Sequence, residues 1–321
     1  MHASKRRLAA RGAALITWCL VAARIAVAAP ENPFDDSFWT RWGDGRAEIS
    51  SYDLEFPRYG ESRSGTAVAI FVTETFSEDV RVKADPGVHS KDDEFPVLKL
   101  NLVQDFPTGV YDYNLMTSVF LGLTSRWGRP IGSVAKVSFS SQEWCGHVYH
   151  QLSPDATGVT GELHSYFDGE ADQRTRHKYP ADGQFEDALW MWARGFATPY
   201  LEPGESREID LLGSLEIARL SHRPIGWKRT TLSRGADAST ASVPAGTFTV
   251  ETFVARVTGG ATWTFLVESG GDRRIVEWQR SDGAHGKLVA TERVAYWKMN
   301  GSEYARELSR IGLSPRPPRT P

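Results

Sequence analysis

Apolar residues recur at every second position in short runs punctuated by Gly, Pro and Asp, which is the pattern of strands joined by turns. Residues 67–75 form a run of Val, Ile, Phe and Thr. Residues 99–106 alternate, with Leu100 and Leu102 on one face and Lys99 and Asn101 on the other. Residues 110–123 also read as a strand, with Tyr111 and Tyr113 on a common face. Further strands are predicted over 136–151 and 162–167, then over 248–257, 261–268, 274–279 and 287–297. In the last group Trp263, Phe265 and Val267 mark one face, and Val276 and Trp278 mark another. Turns fall at Gly43-Asp44-Gly45, Pro57-Arg58-Tyr59-Gly60, Asp168-Gly169, Ser269-Gly270-Gly271-Asp272 and Ser281-Asp282-Gly283. At Asp85-Pro86-Gly87, Pro sets φ at the second position and Gly accepts a positive φ at the third. Connections this short predict antiparallel hairpins, because parallel neighbours need crossovers.

One helix interrupts the strands. Asp182 is placed to cap it, Glu186 and Asp187 suit its N-terminal end, Arg194 suits its C-terminal end, and Gly195 can stop it. Phe185, Leu189, Trp192 and Phe196 recur at helical spacing and give a bulky stripe that either packs on the sheet or lines an apolar concavity. Residues 233–242, small and polar, read as a loop. The four prolines between 314 and 321 predict a disordered tail. Uniform strand character places residues 29–313 in one domain.

The first 28 residues stand apart. Lys5, Arg6, Arg7 and Arg11 precede an uncharged run from 12 to 23, and Ile25-Ala26-Val27-Ala28-Ala29 supplies small residues for cleavage after Ala28. That is the three-part layout of a secretory signal, and the run is too short for a bilayer-spanning helix; an uncleaved anchor is the alternative. The twin-arginine route is less favoured, because Ala9 stands where Phe is expected, and Trp18 before Cys19 argues against a lipoprotein. The segment holds five of the 37 Lys/Arg and none of the 40 Asp/Glu, so the remainder carries 32 basic and 40 acidic residues, a net −8. This balance argues against nucleic-acid binding, which needs a basic footprint. A periplasmic location follows, and with Cys145 alone beyond the signal no internal disulfide is possible.

The stretch from about 163 to 297 carries Tyr166-Phe167-Asp168-Gly169, the acid-led helix Glu186-Asp187-Ala188-Leu189 through Arg194, Val243-Pro244-Ala245-Gly246-Thr247-Phe248, and Arg273-Arg274-Ile275-Val276. These features resemble the uncharacterised bacterial envelope family called domain of unknown function 3108, related to the Lol-type lipoprotein-carrier half-barrels. The resemblance covers under half the chain and rests on turns and core positions. It implies a mainly β fold, a strongly curved antiparallel sheet (half-barrel) packed around one short aromatic helix. Carriers of that shape bind acyl chains, although a fold does not by itself define a function.

Local chemistry centres on residues 140–151. On a continuous strand, Glu143, Cys145, His147 and Tyr149 share one face, with Gln142, Trp144, Val148 and His150 on the other. Cys145 and His147 are the material of an activated thiolate that Glu143 could orient, but residues two apart on a strand sit about 6.6 Å apart. Contact would need a bulge at Gly146. A metal site from Cys145, His147 and His164 or His177 lacks ligand spacing, so no metal and no cofactor is expected. Phosphate-loop, dinucleotide and Gly-x-Ser-x-Gly motifs are absent. Asp35-Asp36 and Asp92-Asp93 read as solvated loop pairs, and the Trp residues as fillers of a curved sheet.

These readings converge on a non-enzymatic periplasmic binding or carrier protein for an apolar or amphipathic ligand such as a lipid. Trp190, Trp192 and Phe196 are expected near its opening, with Tyr111 and Tyr113 also against the ligand. The alternatives are a thiol- or metal-dependent hydrolase centred on Cys145 and His147, and a structural envelope partner without a ligand.

Overall fold

The computed structural model describes residues 33–315. The stretch read as a signal, and the tail from 316 onward, lie outside the described residues. A short helix, α1 (Asp36–Trp42), comes first, and Asp35 caps it by accepting from the Phe38 N–H. Eight strands then run as a meander: β1 (Ala47–Arg58), β2 (Glu61–Ser77), β3 (Glu94–Pro107), β4 (Asp112–Gly122), β5 (Val134–Glu143), β6 (Gly146–Pro154), β7 (Gly158–Ser165) and β8 (Gln173–Lys178). Each pairs antiparallel with the next.

The second set is β9 (Gln184–Phe185), β10 (Ser206–Leu212), β11 (Trp227–Arg234), β12 (Ser239–Val243), β13 (Gly246–Val257), β14 (Thr262–Glu268), β15 (Ile275–Arg280) and β16 (His285–Val294). Two helices belong to it, α2 (Leu189–Ala193) and α3 (Leu215–Ser221). Strand β9 lies parallel to β10, and α2 supplies the crossover that a parallel pair requires. Strand β12 pairs with β13 off the main path. Strand β16 pairs antiparallel with β1, which merges both sets into one sixteen-stranded sheet with β8 and β9 at its edges.

Those two edges are consecutive in the chain, with only residues 179–183 between them. Laid flat, fifteen strands would put the edges about 65 Å apart at roughly 4.8 Å per strand. A five-residue link spans at most about 20 Å. The sheet therefore curls through most of a circle, and the break in hydrogen bonding between β8 and β9 is crossed by covalent chain. The fold is mainly β, strongly curved and unclosed around a helix, as the resemblance implies.

The inward faces form one core. Leu98, Leu100, Leu102 and Phe106 of β3 point into it, as do Tyr52, Leu54 and Phe56 of β1 and Trp263, Phe265 and Val267 of β14. Helix α2 is buried on every side, so it threads the interior instead of laying one stripe on the sheet. The Trp190 ring lies 5.6 Å from both Tyr52 and Trp278 and 6.0 Å from Phe265. Trp192 meets Phe253 at 5.5 Å and donates to the Pro199 carbonyl at 3.0 Å. A charged pair sits beside α2: Arg194 donates to Glu48 at 2.6 Å, both side chains being no more than 1% exposed, and Arg41 reaches the other Glu48 oxygen at 3.0 Å.

Several expectations change. Residues 136–151 are two strands, β5 and β6, folded back at Trp144-Cys145. Gly146 starts β6 with φ +152, and a Cβ there would lie 2.5 Å from the Tyr166 ring, so glycine is required at this tight return. Most of the loop expected over 233–242 is strand: β11 runs to Arg234 and β12 begins at Ser239. Asp182 does not cap the helix; it accepts from Arg229, while the stretch Glu186–Ala188 is a 3₁₀ turn leading into α2. Gly195 follows with φ +82, as a helix stop requires. A bulge sets Leu266 opposite Glu277 and Val267 opposite Ile275, so Val276 joins Ala241 and Val250 on the other face while Trp278 enters the core. The expected turn at Asp85-Pro86-Gly87 forms, with Gly87 at φ +79 and the Val88 N–H on the Asp85 carbonyl at 3.1 Å. Asp35 and Asp93 are more than solvated loop acids: the first caps α1, and the second accepts from Ser77 at 2.7 Å.

Candidate functional site

Helix α3 closes one end of the curled sheet. Its sequence explains it: Ser214 caps it, Glu216 lies in its first turn, Arg219 in its last, and His222 ends it in the left-handed region at φ 54. Three strands of the wall hold it. Arg219 donates to Glu143 of β5 at 2.9 Å, Arg280 of β15 donates to Glu216 at 2.7 Å, and Arg58 of β1 donates to the Leu220 carbonyl at 3.1 Å. Its N-terminal end rests on two acids, Glu186 buried and Asp187 half-buried. Asp187 accepts from Ser214 Oγ at 2.8 Å and from the Leu215 N–H at 3.1 Å, and Glu186 accepts from the Ser214 N–H at 3.1 Å and the Trp263 indole at 2.8 Å. Burial pushes Asp187 up to about 7, against those hydrogen bonds and helped by the nearby Glu186 and Glu216 charges.

Between α3 and the inner face of β6–β8 lies a cavity of about 400 Å³. The wall is set by register: His150 faces Leu163, which faces Gln173, while Gly161 faces Thr175 and Val159 faces His177. Ala218, Arg219 and the segment from His222 to Ile225 close the opposite side, and Glu170 of the β7–β8 turn stands at the rim. Burial pushes His150 down to about 4, with His177 beside it adding to the effect, and burial lowers His177 as well. Both rings are therefore uncharged near neutrality, and each presents one donor and one acceptor nitrogen. Neither imidazole has a hydrogen bond to protein among the described residues, and His177 Nε2 is a buried atom without one. Glu170 and His222 are joined at 2.5 Å. Arg219 lies flat against the Phe167 ring, 3.8 Å from its centroid. A volume of this size, with apolar walls and a few polar groups, suits a small molecule.

None of the residues singled out from the sequence for ligand contact lines this cavity. Trp190, Trp192 and Tyr113 are buried in the core. Phe196 packs against Phe38 and Trp42, at 6.1 and 5.7 Å. Tyr111 lies beside Tyr113 and stacks on Trp144, at 5.9 and 6.2 Å. The proposed thiol site is dispersed. Cys145 is exposed at the hairpin tip, His147 is exposed on β6, and Glu143 is buried and bound to Arg219. Of the residues named for a metal, His164 pairs with Asp172 at 2.9 Å, while His177 belongs to the cavity wall. No group of three or more His, Cys, Asp or Glu that could hold a metal ion occurs among the described residues. Nor is any helix there long and apolar enough to cross a membrane.

The sequence held one signal for this cavity. Once the strand is split at Trp144-Cys145, His150 falls between the buried Val148 and Leu152 on the inner face of β6, a polar residue at a core position.

Fold and cavity together define a class: a β-barrel-like protein with a helix through its core and a small-molecule-sized cavity between strands β6–β8 and helix α3. Among solved structures, the chain is similar to a beta-barrel-like protein of domain of unknown function DUF1849 from Brucella abortus. The two are 12% identical, with 77% of this chain and 98% of that one covered at a TM-score of 0.44. A likeness of that size assigns no activity. No protein-family model matches the chain, and no curated protein does.

Proposed function

We propose that the chain is a non-enzymatic binding or carrier protein that holds an apolar or amphipathic small molecule in the cavity between β6–β8 and α3. The observation that carries this reading is the cavity itself, about 400 Å³ with Val148, Leu163, Pro224 and Ile225 in its lining, beside a core packed with aliphatic and aromatic side chains. Native mass spectrometry of protein purified without detergent tests it, with lipid analysis of the organic extract. A bound species present in wild type and lost in Leu163→Trp supports carriage. Consistently empty protein that also fails to take up added apolar probes sinks it. The packed interior around α2 favours a second reading, an interaction protein with no small-molecule ligand, which that same failure would select.

Export to the periplasm belongs to this proposal. Its support is the basic, apolar and small-residue sequence of positions 1–28, and its test is N-terminal sequencing of protein released by osmotic shock, expected to begin at Ala29. The likeness of the C-terminal half to the domain-3108 envelope family and to the lipoprotein carriers is likewise part of the proposal, resting on the turns and helix quoted for it.

A further inference from the structure

We propose that the occupant of this cavity is an amphipathic anion, its acidic group held by Arg223 at the mouth and its apolar body against Val148, Leu163, Pro224 and Ile225. The inference rests on the binding reading above and adds the charge of the ligand and its orientation.

The charged groups that line the cavity are spoken for, with one exception. Arg219 has its charge paired: Glu143 accepts from its Nη2 at 2.9 Å, and its side chain is 3% exposed, with Nε lacking a hydrogen bond among the described residues. Glu170 is committed as well, to His222 at 2.5 Å and to Ser165 Oγ at 3.1 Å. Arg223 lines the cavity and is exposed, and its guanidinium makes no hydrogen bond and no ion pair among the described residues. Its backbone N–H alone is used, on the Ala218 carbonyl at 3.0 Å. The following Pro224 fixes φ in the segment that carries it.

The deeper lining differs in kind. Val148 and Leu163 are apolar, and His150 and His177 are neutral hydrogen-bonding groups that burial keeps uncharged. A ligand with an apolar body and one acidic end therefore meets complementary surface along its whole length, tail inward and acid outward. A cationic amphiphile would bring like charge to Arg223, and a neutral one would leave that charge unmet. The guanidinium fork pairs with carboxylate and phosphate alike, so both acids fall within the class.

Calorimetry on the full chain at pH 7.5, with probes kept below their micelle concentrations, tests the inference. The probes share one chain length: dodecanoate, dodecyl phosphate, dodecanol and dodecyltrimethylammonium. An exposed ion pair is worth up to about 1 kcal/mol, so the acids should bind about fivefold more tightly than the alcohol. Arg223→Gln should bring acid and alcohol together, and Arg223→Glu should transfer the preference to the ammonium probe. Because Arg223 is exposed and unpartnered, neither change touches a contact that holds the fold. A preference between dodecanoate and dodecyl phosphate then separates fatty-acid-like from phosphate-headed ligands. Equal affinity for acid and alcohol in wild type, or a preference for the acid that survives Arg223→Gln, overturns the anion inference and leaves the cavity reading standing. If no probe binds the wild type, the binding reading itself fails.

Discussion

At the scale of single residues, buried charge and exposed thiol give the sharpest expectations. Burial alone would raise the Glu48 carboxyl, but Arg194 and Arg41 hold it below the ordinary carboxylate range. Replacing one partner of such a pair leaves the other charged and dry, which costs about 3–5 kcal/mol. Glu48→Gln strands Arg194, and urea titration should show the unfolding free energy reduced by an amount in that range. His150 behaves in the opposite sense to a surface histidine. Its pKa is about 4 in the fold, against roughly 6.5 in the unfolded chain. The stability it contributes is complete above pH 6.5 and is lost as pH falls toward 4. Its imidazole resonances should stay fixed between pH 8 and pH 5.5 in an NMR titration, and movement in that range would contradict the burial described. Cys145, at the tip of the β5–β6 hairpin, should give one thiol equivalent with Ellman's reagent in the absence of denaturant. The sequence pointed to this thiol because Cys and His two apart look like chemistry; it could not show that the chain reverses between them.

At the scale of elements, α3 carries the most testable physics. Asp187 supports its N-terminal end in protonated form up to about pH 7, whereas in the unfolded chain the same group ionises near 4. The native state thus binds the extra proton between those values, and its stability falls as pH rises from about 4 to about 7. Urea midpoints at pH 5 and pH 7.5 should show that decline, and Asp187→Asn should flatten it. An unchanged slope in the variant would assign the pH dependence elsewhere. Strands with strict alternation, such as β3 and β14, were legible because one face is buried and the other is not. Three features were not. The return at Trp144-Cys145 has no turn residue before Gly146, β12 is spelled by Ser, Thr and Ala up to its final Val243, and the bulge at Val276 changes face without any change in composition. Helix α2 was legible as a helix but not as a buried thread, since its stripe of aromatics reads the same whichever way the other side faces.

At the scale of the whole molecule, the curled sheet has an outer as well as an inner apolar surface. Ile49, Val68, Ile70 and Val294 form a patch on the outside of β1, β2 and β16, and the 3₁₀ segment Ser302–Ile311 lies across it. Ser51 Oγ donates to the Ile311 carbonyl there, and Arg310 reaches Glu292 at 3.1 Å. Removing residues 302–321 should uncover that patch and give a protein that binds anilinonaphthalene sulfonate or self-associates in sedimentation, with its circular dichroism retained. A monomeric, dye-silent truncation would show that the strap is dispensable. A cavity assembled from β6, β7, β8 and α3 was beyond reach of the sequence, because no local pattern records which distant strands become neighbours. The same holds for the pairing of β1 with β16, and that pairing sets a schedule for biosynthesis. Strand β1 emerges from the ribosome early and must wait for more than two hundred further residues before its partner exists. Throughout that interval a twelve-residue strand shows unpaired backbone along one side. Any prematurely terminated product keeps that sticky margin permanently. Chaperones that bind extended chain, and proteases that clear it, would therefore distinguish complete from incomplete molecules by this one strand.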